Sequence, residues 1–290
     1  MTEVGGDVVR RLRAAGCVFA EEEAALLREA AEAAAAGAGV VASASRSSEA
    51  PATGGFAAEL ERMVAARVAG LPLEQVVGWA EFDGMRILMS PGVFVPRRRT
   101  ELLVREAVAG LGTDRHAVVV DLCCGSGAVG AAIARRLGVD ADPDADPAEV
   151  YAADLDPAAV ACARRNLRGD RVFEGDLYAA LPIRLRGRID VLAVNAPYVP
   201  TDAIGTMPPE AREHEATMAL DGGADGLDLQ RRVIEGAREW LASGGRLLIE
   251  TSEHQVELTR ALFERAGFET TVHRDDDLDG TVVSGVLTAP

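Results

Sequence analysis

The stretch VVVDLCCGSGAVG, residues 118–130, joins an apolar run, a carboxylate and a glycine-rich loop. Its glycines, Gly125, Gly127 and Gly130, follow the pattern G-x-G-x-x-G, in which a strand turns tightly into a helix. The apolar run predicts a buried strand that ends near Asp121. The stretch therefore predicts the first strand and turn of a parallel α/β sheet, with a ligand site at the loop.

Short apolar runs alternate with helical patterns through the rest of the chain. The predicted strands are 117–122, 150–155, 171–176, 189–195, 246–251, 268–273 and 281–287, and the predicted helices are 100–109, 128–137, 157–167, 226–242 and 255–266. This alternation predicts a doubly wound, Rossmann-like α/β sheet. The last two strands are joined by the acidic turn RDDDLDG, which predicts a hairpin and one antiparallel strand at the sheet edge.

The N-terminal part has a different pattern. We predict a helix over 7–36, a small-residue linker over 37–55, a helix over 56–69, a hairpin turning at Asp83-Gly84 and an acidic surface loop over 138–150. The resulting division is a helical domain at 1–75, a hairpin linker at 76–93 and an α/β domain at 94–290.

Charge and composition exclude several classes of protein. The 290 residues carry a net charge of −16 with arginine as the only strongly basic residue, which argues against nucleic-acid binding through the general field. The four cysteines lack CxxC or disulfide-like spacing, and the four histidines lack zinc-protease spacing. We find no signal peptide or apolar stretch that could span a membrane. We expect a monomeric, cytoplasmic protein without a metal.

Two ligands fit the glycine loop. A dinucleotide would place its pyrophosphate on the loop amides, but the Asp121 carboxylate would repel it. S-adenosylmethionine fits better, because Asp121 could face its sulfonium or amino group and Asp154 its ribose hydroxyls. Asp176 could accept from the adenine amine or could cap a helix. We count Cys123, Gly125, Gly127, Leu155 and Leu177 with these carboxylates as cofactor-binding candidates, and interpret Cys123 and Cys124 as inert thiols rather than a redox pair.

The second chemical signature is Asn195-Ala196-Pro197-Tyr198, directly after a predicted buried strand. A planar NH2 group is a poor nucleophile because its lone pair is delocalised. The Asn195 side-chain oxygen and the Ala196 carbonyl could bind both of its N–H bonds, and Pro197 would keep Ala196 extended. Tyr198 could stack on the planar group. A turn that merely ends the strand is the structural alternative.

Together these motifs resemble the HemK/PrmC-type protein N5-glutamine methyltransferases. The resemblance also covers the stretches SPGVFVPRRRTELLV, ADLDPAAVACARRNL, ALDGGADGLDLQRRVIEGA and GGRLLIETSEHQ. It implies a class I methyltransferase domain, a helical substrate-docking domain, S-adenosylmethionine as donor and a peptide chain release factor as partner, methylated on its GGQ glutamine.

By this resemblance, Asn195 to Tyr198 match the family's N-P-P-Y. Phe94, Pro96, Arg97, Thr100 and Glu101 match its P-R-P-E-T-E segment near the active site; of these, Phe94, Arg97 and Thr100 are cofactor-binding candidates. Three departures stand out: Ala196 replaces a proline, Cys123 a loop glycine, and Arg98-Arg99 a proline and a glutamate.

Other functions stay open at this stage. Similar quartets serve enzymes that methylate the exocyclic amine of a flipped base, and the three arginines could contact phosphates. Another small or peptide substrate is also compatible, as is a non-catalytic, donor-binding paralogue that acts as an interaction module. The N-terminal helices could dock a partner or only stabilise the larger domain.

Overall fold

The computed structural model describes residues 3–44, 55–109, 111, 116–139 and 148–287, with side chains omitted at 3–5 and 37–44. The chain divides into two compact units, one of residues 1–79 and 208–214, the other of residues 80–207 and 215–290. The boundaries predicted at residues 75 and 93 stay a prediction. Among the described residues, no helix is long and apolar enough to cross a membrane.

The first unit is helical. Its helices are α1 (Glu3–Ala14), α2 (Ala20–Ala44), α3 (Phe56–Val68), α4 (Leu73–Val77) and, from far along the chain, α8 (Pro209–His214). Leu12, Leu27 and Val64 are fully buried in its core. These contacts bury one apolar face of each of the first three helices.

The predictions for this unit were partly wrong. The single helix predicted over 7–36 is interrupted, because Gly16 has a φ of +92° and ends α1 in the left-handed conformation. The linker predicted over 37–55 is helical as far as Ala44, since each added residue gains a helical hydrogen bond and no proline intervenes before Pro51. Residues 45–54 lie outside the described residues.

The second unit contains a hairpin and the α/β sheet. The hairpin pairs β1 (Trp79–Phe82) with β2 (Met85–Leu88) around Asp83-Gly84, as predicted. The other strands are β3 (Ala117–Leu122), β4 (Ala148–Asp154), β5 (Val172–Glu174), β6 (Ile189–Val194), β7 (Leu241–Glu250), β8 (Phe268–Asp275) and β9 (Gly280–Leu287). The helices are α5 (Glu101–Ala109), α6 (Ala128–Leu137), α7 (Pro157–Ala163), α9 (Asp228–Trp240) and α10 (Val256–Arg265).

The seven strands of the sheet have the order β5-β4-β3-β6-β7-β9-β8. The first five are parallel, and β9 is antiparallel to both β7 and β8. The Rossmann-like class is confirmed, but the antiparallel strand is one place in from the edge, because the hairpin inserts β9 beside β7. Of the predicted acidic loop, residues 140–147 lie outside the described residues and Ala148 already belongs to β4.

Strand order determines where the chemistry lies. β3 lies between β4 and β6, so the residues that follow these three strands meet at one edge of the sheet. These strands are almost completely buried, and their carboxyl ends carry Asp121, Asp154 and Asn195. In an open α/β sheet this edge is where ligands bind.

Candidate active site

A cavity of about 530 Å³ lies at this edge, within the second unit. It is lined by most of the residues predicted for the cofactor and for the acceptor: Asp121, Cys123, Gly125, Asp154, Leu155, Asp176, Leu177, Phe94, Arg97, Thr100, Asn195, Ala196, Pro197 and Tyr198. The sequence motifs therefore converge on one pocket.

Two predicted residues do not line it. A Cβ on Gly127 would approach the Ala163 side chain to 3.0 Å, so this glycine serves the close packing of the loop against the end of α7. Glu101 accepts a hydrogen bond from the Asp83 backbone N–H at 3.2 Å and so holds the hairpin turn.

The glycine loop itself argues against a pyrophosphate. The Gly125 N–H donates to Asp154 at 2.8 Å, the Gly130 N–H to Asp121 at 2.8 Å and the Gly127 N–H to the Cys124 carbonyl at 2.7 Å. All three amides are thus bound internally, two of them by carboxylates. These three amides are therefore not available to a pyrophosphate, and the carboxylates of Asp121 and Asp154 would repel it.

The carboxylates fit S-adenosylmethionine instead. Asp121 is 1% exposed, and burial, assisted by the nearby Asp154 charge, raises its pKa to about 7. Burial also raises the pKa of Asp154, whose second oxygen accepts the Asp156 N–H at 2.9 Å. A cationic ligand relieves the cost of ionising buried carboxylates, and ribose hydroxyls can donate to their remaining lone pairs. When bound, the donor supplies an electrophilic methyl group.

Asp176 does not cap the helical turn that follows it. No side-chain cap bond forms, and its carboxylate pairs with Arg232 at 2.7 Å on the cavity wall. The adenine-binding role of Asp176 stays a prediction. Sequence reasoning missed Arg232, because it lies on α9 in a stretch to which no function had been assigned.

Cys123 lines the pocket with a φ of +62°, in the left-handed region where glycine is favoured. This geometry explains why the related family keeps a glycine there. Burial raises the pKa values of both Cys123 and Cys124 well above the ordinary thiol value. Neutral thiols are poor nucleophiles, which supports the interpretation of both cysteines as inert.

At the acceptor end of the cavity, Asn195 and Tyr198 each donate a hydrogen bond to a neighbouring side chain. The Asn195 Nδ2 donates to the Thr100 hydroxyl at 3.3 Å, and the Tyr198 hydroxyl donates to Glu250 at 3.3 Å. Glu250 ends β7 and is 1% exposed. Sequence reasoning missed Glu250, because a carboxylate at a strand end carries no signal of its partners.

The loop that carries Asn195 to Tyr198 is held in place by contacts with the stretch ALDGGADGLD and with Gln255. Val199 forms a parallel bridge with Asp221, and the Gln255 side-chain amide donates to the carbonyls of Tyr198 at 2.9 Å and Asp225 at 3.1 Å. A Cβ on Gly226 would lie 2.3 Å from the Tyr198 carbonyl, so only glycine fits there. These contacts show the structural role of the stretches ALDGGADGLD and GGRLLIETSEHQ, which the family resemblance alone did not indicate.

Two of the three consecutive arginines face the pocket. Arg97 lies over the Phe94 ring at 4.9 Å and pairs with the buried Glu215 at 2.7 Å. Arg99 lies over the Tyr198 ring at 5.9 Å, with its Nε 3.5 Å from Glu250. Arg98 does not line the cavity.

No group of three or more His, Cys, Asp or Glu side chains is arranged to hold a metal ion within the part of the chain that the structure describes. The cavity is lined by carboxylates, a side-chain amide and aromatic rings. An aspartate-lined donor site next to an amide and an aromatic ring suits methyl transfer to a planar nitrogen.

Comparison with known proteins agrees with this chemistry. A family model described as "Methyltransferase small domain" matches residues 84–211. The chain is 37% identical over 210 residues to the release factor glutamine methyltransferase of Geobacter sulfurreducens, covering 71% of this chain and 69% of the relative. Against the protein of the same name from Mycolicibacterium smegmatis it is 37% identical over 227 residues, covering 77% and 76%.

A relative with another name is equally similar. The 4-amino-L-phenylalanine/4-methylamino-L-phenylalanine methyltransferase of Streptomyces pristinaespiralis is 38% identical over 204 residues, covering 68% of this chain and 66% of the relative. The matches thus agree on methyl transfer and include acceptors of different size. The chain is a methyltransferase that uses S-adenosylmethionine, and it belongs to the release factor glutamine methyltransferase family.

Proposed function

We propose that this protein transfers a methyl group from S-adenosylmethionine to the side-chain amide nitrogen of the GGQ glutamine in a peptide chain release factor. The observation that carries the proposal is the placement of Asn195 to Tyr198 on the wall of the same cavity as Asp121 and Asp154. Relatives named for this activity support it.

The reaction needs positioning more than a nucleophilic side chain. With its Nδ2 bound to Thr100, Asn195 keeps its oxygen to accept one N–H of the glutamine amide, and the Ala196 carbonyl accepts the other. Binding both N–H bonds turns the nitrogen lone pair toward the methyl carbon for in-line displacement. The loss of one proline at Ala196 leaves this carbonyl in place.

The test is methylation of purified release factor with labelled S-adenosylmethionine, followed by peptide mass spectrometry. Label on the GGQ glutamine supports the proposal, and Asn195→Ala should lose transfer while it keeps donor affinity by calorimetry. Asn166→Ala is the matched control for loss of an asparagine side chain. Asn166 does not line the cavity, but it donates to the carbonyl of Ser126, which does, so transfer by both variants is compared at saturating donor. Donor binding without label on any release factor would refute the proposal.

We also propose that the helical unit docks the protein substrate. Val18 and Phe19, between α1 and α2, are 83% and 66% exposed, which is unusual for adjacent large apolar side chains. A Val18→Ser/Phe19→Ser variant should raise the KM for whole release factor but leave the KM for a short GGQ peptide unchanged. If the variant and the wild type have equal KM values for the whole release factor, these helices only stabilise the larger unit.

A second candidate is methylation of the aromatic amine of a free amino acid. An aryl amine is also a planar NH2 group and suits the same grip. Arg99, which stands where the related family has a glutamate, lines the pocket beside Tyr198 and could pair with the amino acid's carboxylate. The relative from Streptomyces pristinaespiralis supports this candidate. Turnover of 4-amino-L-phenylalanine but not of release factor would establish it.

A further inference from the structure

Gln255 connects two loops from a position outside the cavity. It lies in the turn between β7 and α10, it is 7% exposed, and it does not line the cavity. Its side-chain Nε2 donates to the Tyr198 carbonyl at 2.9 Å and to the Asp225 carbonyl at 3.1 Å. The amide therefore joins the loop that carries Asn195 to Tyr198 to the loop before α9.

The Gln255 amide has only one orientation that satisfies its neighbours. A carbonyl oxygen can only accept a hydrogen bond, so the group that faces the Tyr198 and Asp225 carbonyls has to be the NH2 group. The amide oxygen then points to Ser252, whose hydroxyl donates to it at 2.6 Å. Turning the amide over would place its oxygen against two other oxygens and would lose both bonds to the carbonyls.

The peptide bond between Tyr198 and Val199 is held at both of its polar atoms. Its carbonyl accepts from Gln255 at 2.9 Å, and its N–H donates to the Leu220 carbonyl at 3.1 Å. The peptide unit is planar, so holding both of these atoms sets the direction of the backbone on either side of it. Tyr198 is thus fixed through its backbone, independently of its hydroxyl group.

Gly226 packs directly against this hydrogen bond. A Cβ on Gly226 would clash with both of its atoms, the Gln255 Nε2 and the Tyr198 carbonyl oxygen, and the φ of Gly226 is +77°. The backbone at this position therefore comes as close to the bond as a residue without a side chain allows. The carbonyl of Tyr198 has little room to move away from Gln255.

We propose that Gln255 is a positioning residue for methyl transfer, which holds the Tyr198 carbonyl and thereby keeps Asn195 and Ala196 where they bind the acceptor nitrogen. The inference rests on the proposed binding of an acceptor NH2 group by these two residues. Pro197, between Ala196 and Tyr198, has a fixed φ, so a shift of Tyr198 is passed on to the Ala196 carbonyl. An in-line displacement is sensitive to such shifts.

Hydrogen exchange tests the two bonds directly. The chain has three glutamines, Gln75, Gln230 and Gln255, so protein labelled with 15N-glutamine gives three side-chain NH2 groups. The signals lost in Gln255→Met identify the third group. We expect both of its N–H bonds to exchange slowly with water, and Ser252→Ala to speed this exchange. Exchange as fast as in the urea-unfolded protein would refute the proposed hold on Tyr198.

Kinetics test the effect on transfer. Gln255→Met keeps the size of the side chain but removes its hydrogen bonds, and it should lower kcat by about tenfold to a hundredfold, the effect of a displacement of about 1 Å. The donor dissociation constant should stay unchanged. His254→Ala is the matched control, because His254 lies in the same turn, is exposed and does not line the cavity. It should leave kcat unchanged.

Gln255→Glu gives a readout that a merely structural residue would not. An ionised Glu at this position would face two carbonyl oxygens and repel them, whereas a protonated carboxyl can donate one of the two hydrogen bonds. At saturating donor, the ratio of the variant's kcat to the wild-type kcat should therefore rise as the pH falls. The same ratio for Gln255→Met should not change with pH.

The outcomes separate the two proposals. If the wild type labels another acceptor but no release factor, the proposed substrate fails, and the Gln255 variants are measured on that acceptor. Wild-type kcat in Gln255→Met would refute the positioning role, whatever the acceptor. If Gln255→Met fails to fold, Gln255→Glu decides: recovery at low pH supports the role, and a ratio that does not change with pH refutes it.

Discussion

The Gly130 backbone N–H donates to the Asp121 carboxylate at 2.8 Å, which ties the end of β3 to the first turn of α6. A Cβ at Gly130 would lie 3.2 Å from the same carboxylate oxygen, so a larger residue here would push the Asp121 carboxylate out of its present position. Asp121 is thereby buried at the floor of the donor pocket. This burial makes donor binding sensitive to pH.

Donor affinity should increase as the pH rises to about 7. In the free protein burial raises the pKa of Asp121 to about 7, so below that pH the carboxyl is protonated and neutral. A cationic donor favours the ionised form, and binding below pH 7 must therefore release a proton. Linkage predicts an affinity that falls about tenfold for each pH unit below the pKa and levels off above it.

Calorimetry between pH 5.5 and 8 checks this dependence. Asp121→Asn should bind more weakly and with little change over that range. S-adenosylhomocysteine, which lacks the sulfonium charge, serves as the ligand control: a weaker pH step assigns Asp121 to the sulfonium, and an equal step assigns it to the amino group. Equal wild-type affinity for the donor at pH 5.5 and 7.5 would exclude a charge partner at Asp121.

Asp154→Ala should weaken donor binding at least about tenfold, since it removes the acceptor proposed for the ribose hydroxyls and frees the Gly125 N–H. Asp156→Ala is the matched control. Asp156 is the N-cap of α7 and accepts from the Ala158 N–H at 2.8 Å, so its loss should reduce stability by about 1 kcal/mol without changing donor affinity. A donor dissociation constant unaltered in Asp154→Ala would show that the ribose binds elsewhere.

Sequence reasoning succeeded where the pattern is local. β3 and α6 have the predicted bounds, because a buried apolar run and a glycine turn are encoded within a single short stretch. It failed where the outcome depends on distant pairing. The hydrogen bond from Tyr198 to Glu250 requires β7 to lie beside β6, and the position of β9 inside the sheet requires a hairpin to fold back on β7. Neither pairing leaves a local pattern in the sequence.

The two adjacent loop cysteines should respond differently to replacement by glycine. Cys123 is in the left-handed region, where a Cβ costs about 1–2 kcal/mol, so Cys123→Gly removes strain that offsets the lost packing. Cys124 is 7% exposed with ordinary backbone geometry, so Cys124→Gly loses burial and adds unfolded-state entropy, about 2 kcal/mol in all. Urea denaturation should show less than about 1 kcal/mol for the first change. Equal losses for both variants would contradict the strain argument.

A buried ion cluster in the helical unit provides the last prediction. The Arg67 side chain, 11% exposed, pairs with Glu23 of α2 at 2.6 Å and also with Glu210 of α8. Removal of the guanidinium leaves the buried Glu23 carboxylate unpaired, and breaking such a pair costs about 3–5 kcal/mol. Arg67→Ala should therefore reduce the unfolding free energy by about 3 kcal/mol. It should also expose the 208–214 segment to proteolysis.

Arg62→Ala is the control for this change. Arg62 lies on the same helix and pairs with Glu59 at 2.6 Å, but its side chain is 60% exposed. Water solvates the charge that remains, so the loss should stay below about 1 kcal/mol. Urea denaturation and limited proteolysis of both variants measure the difference. If Arg67→Ala is no less stable than Arg62→Ala, the ion cluster does not hold the 208–214 segment in the helical unit.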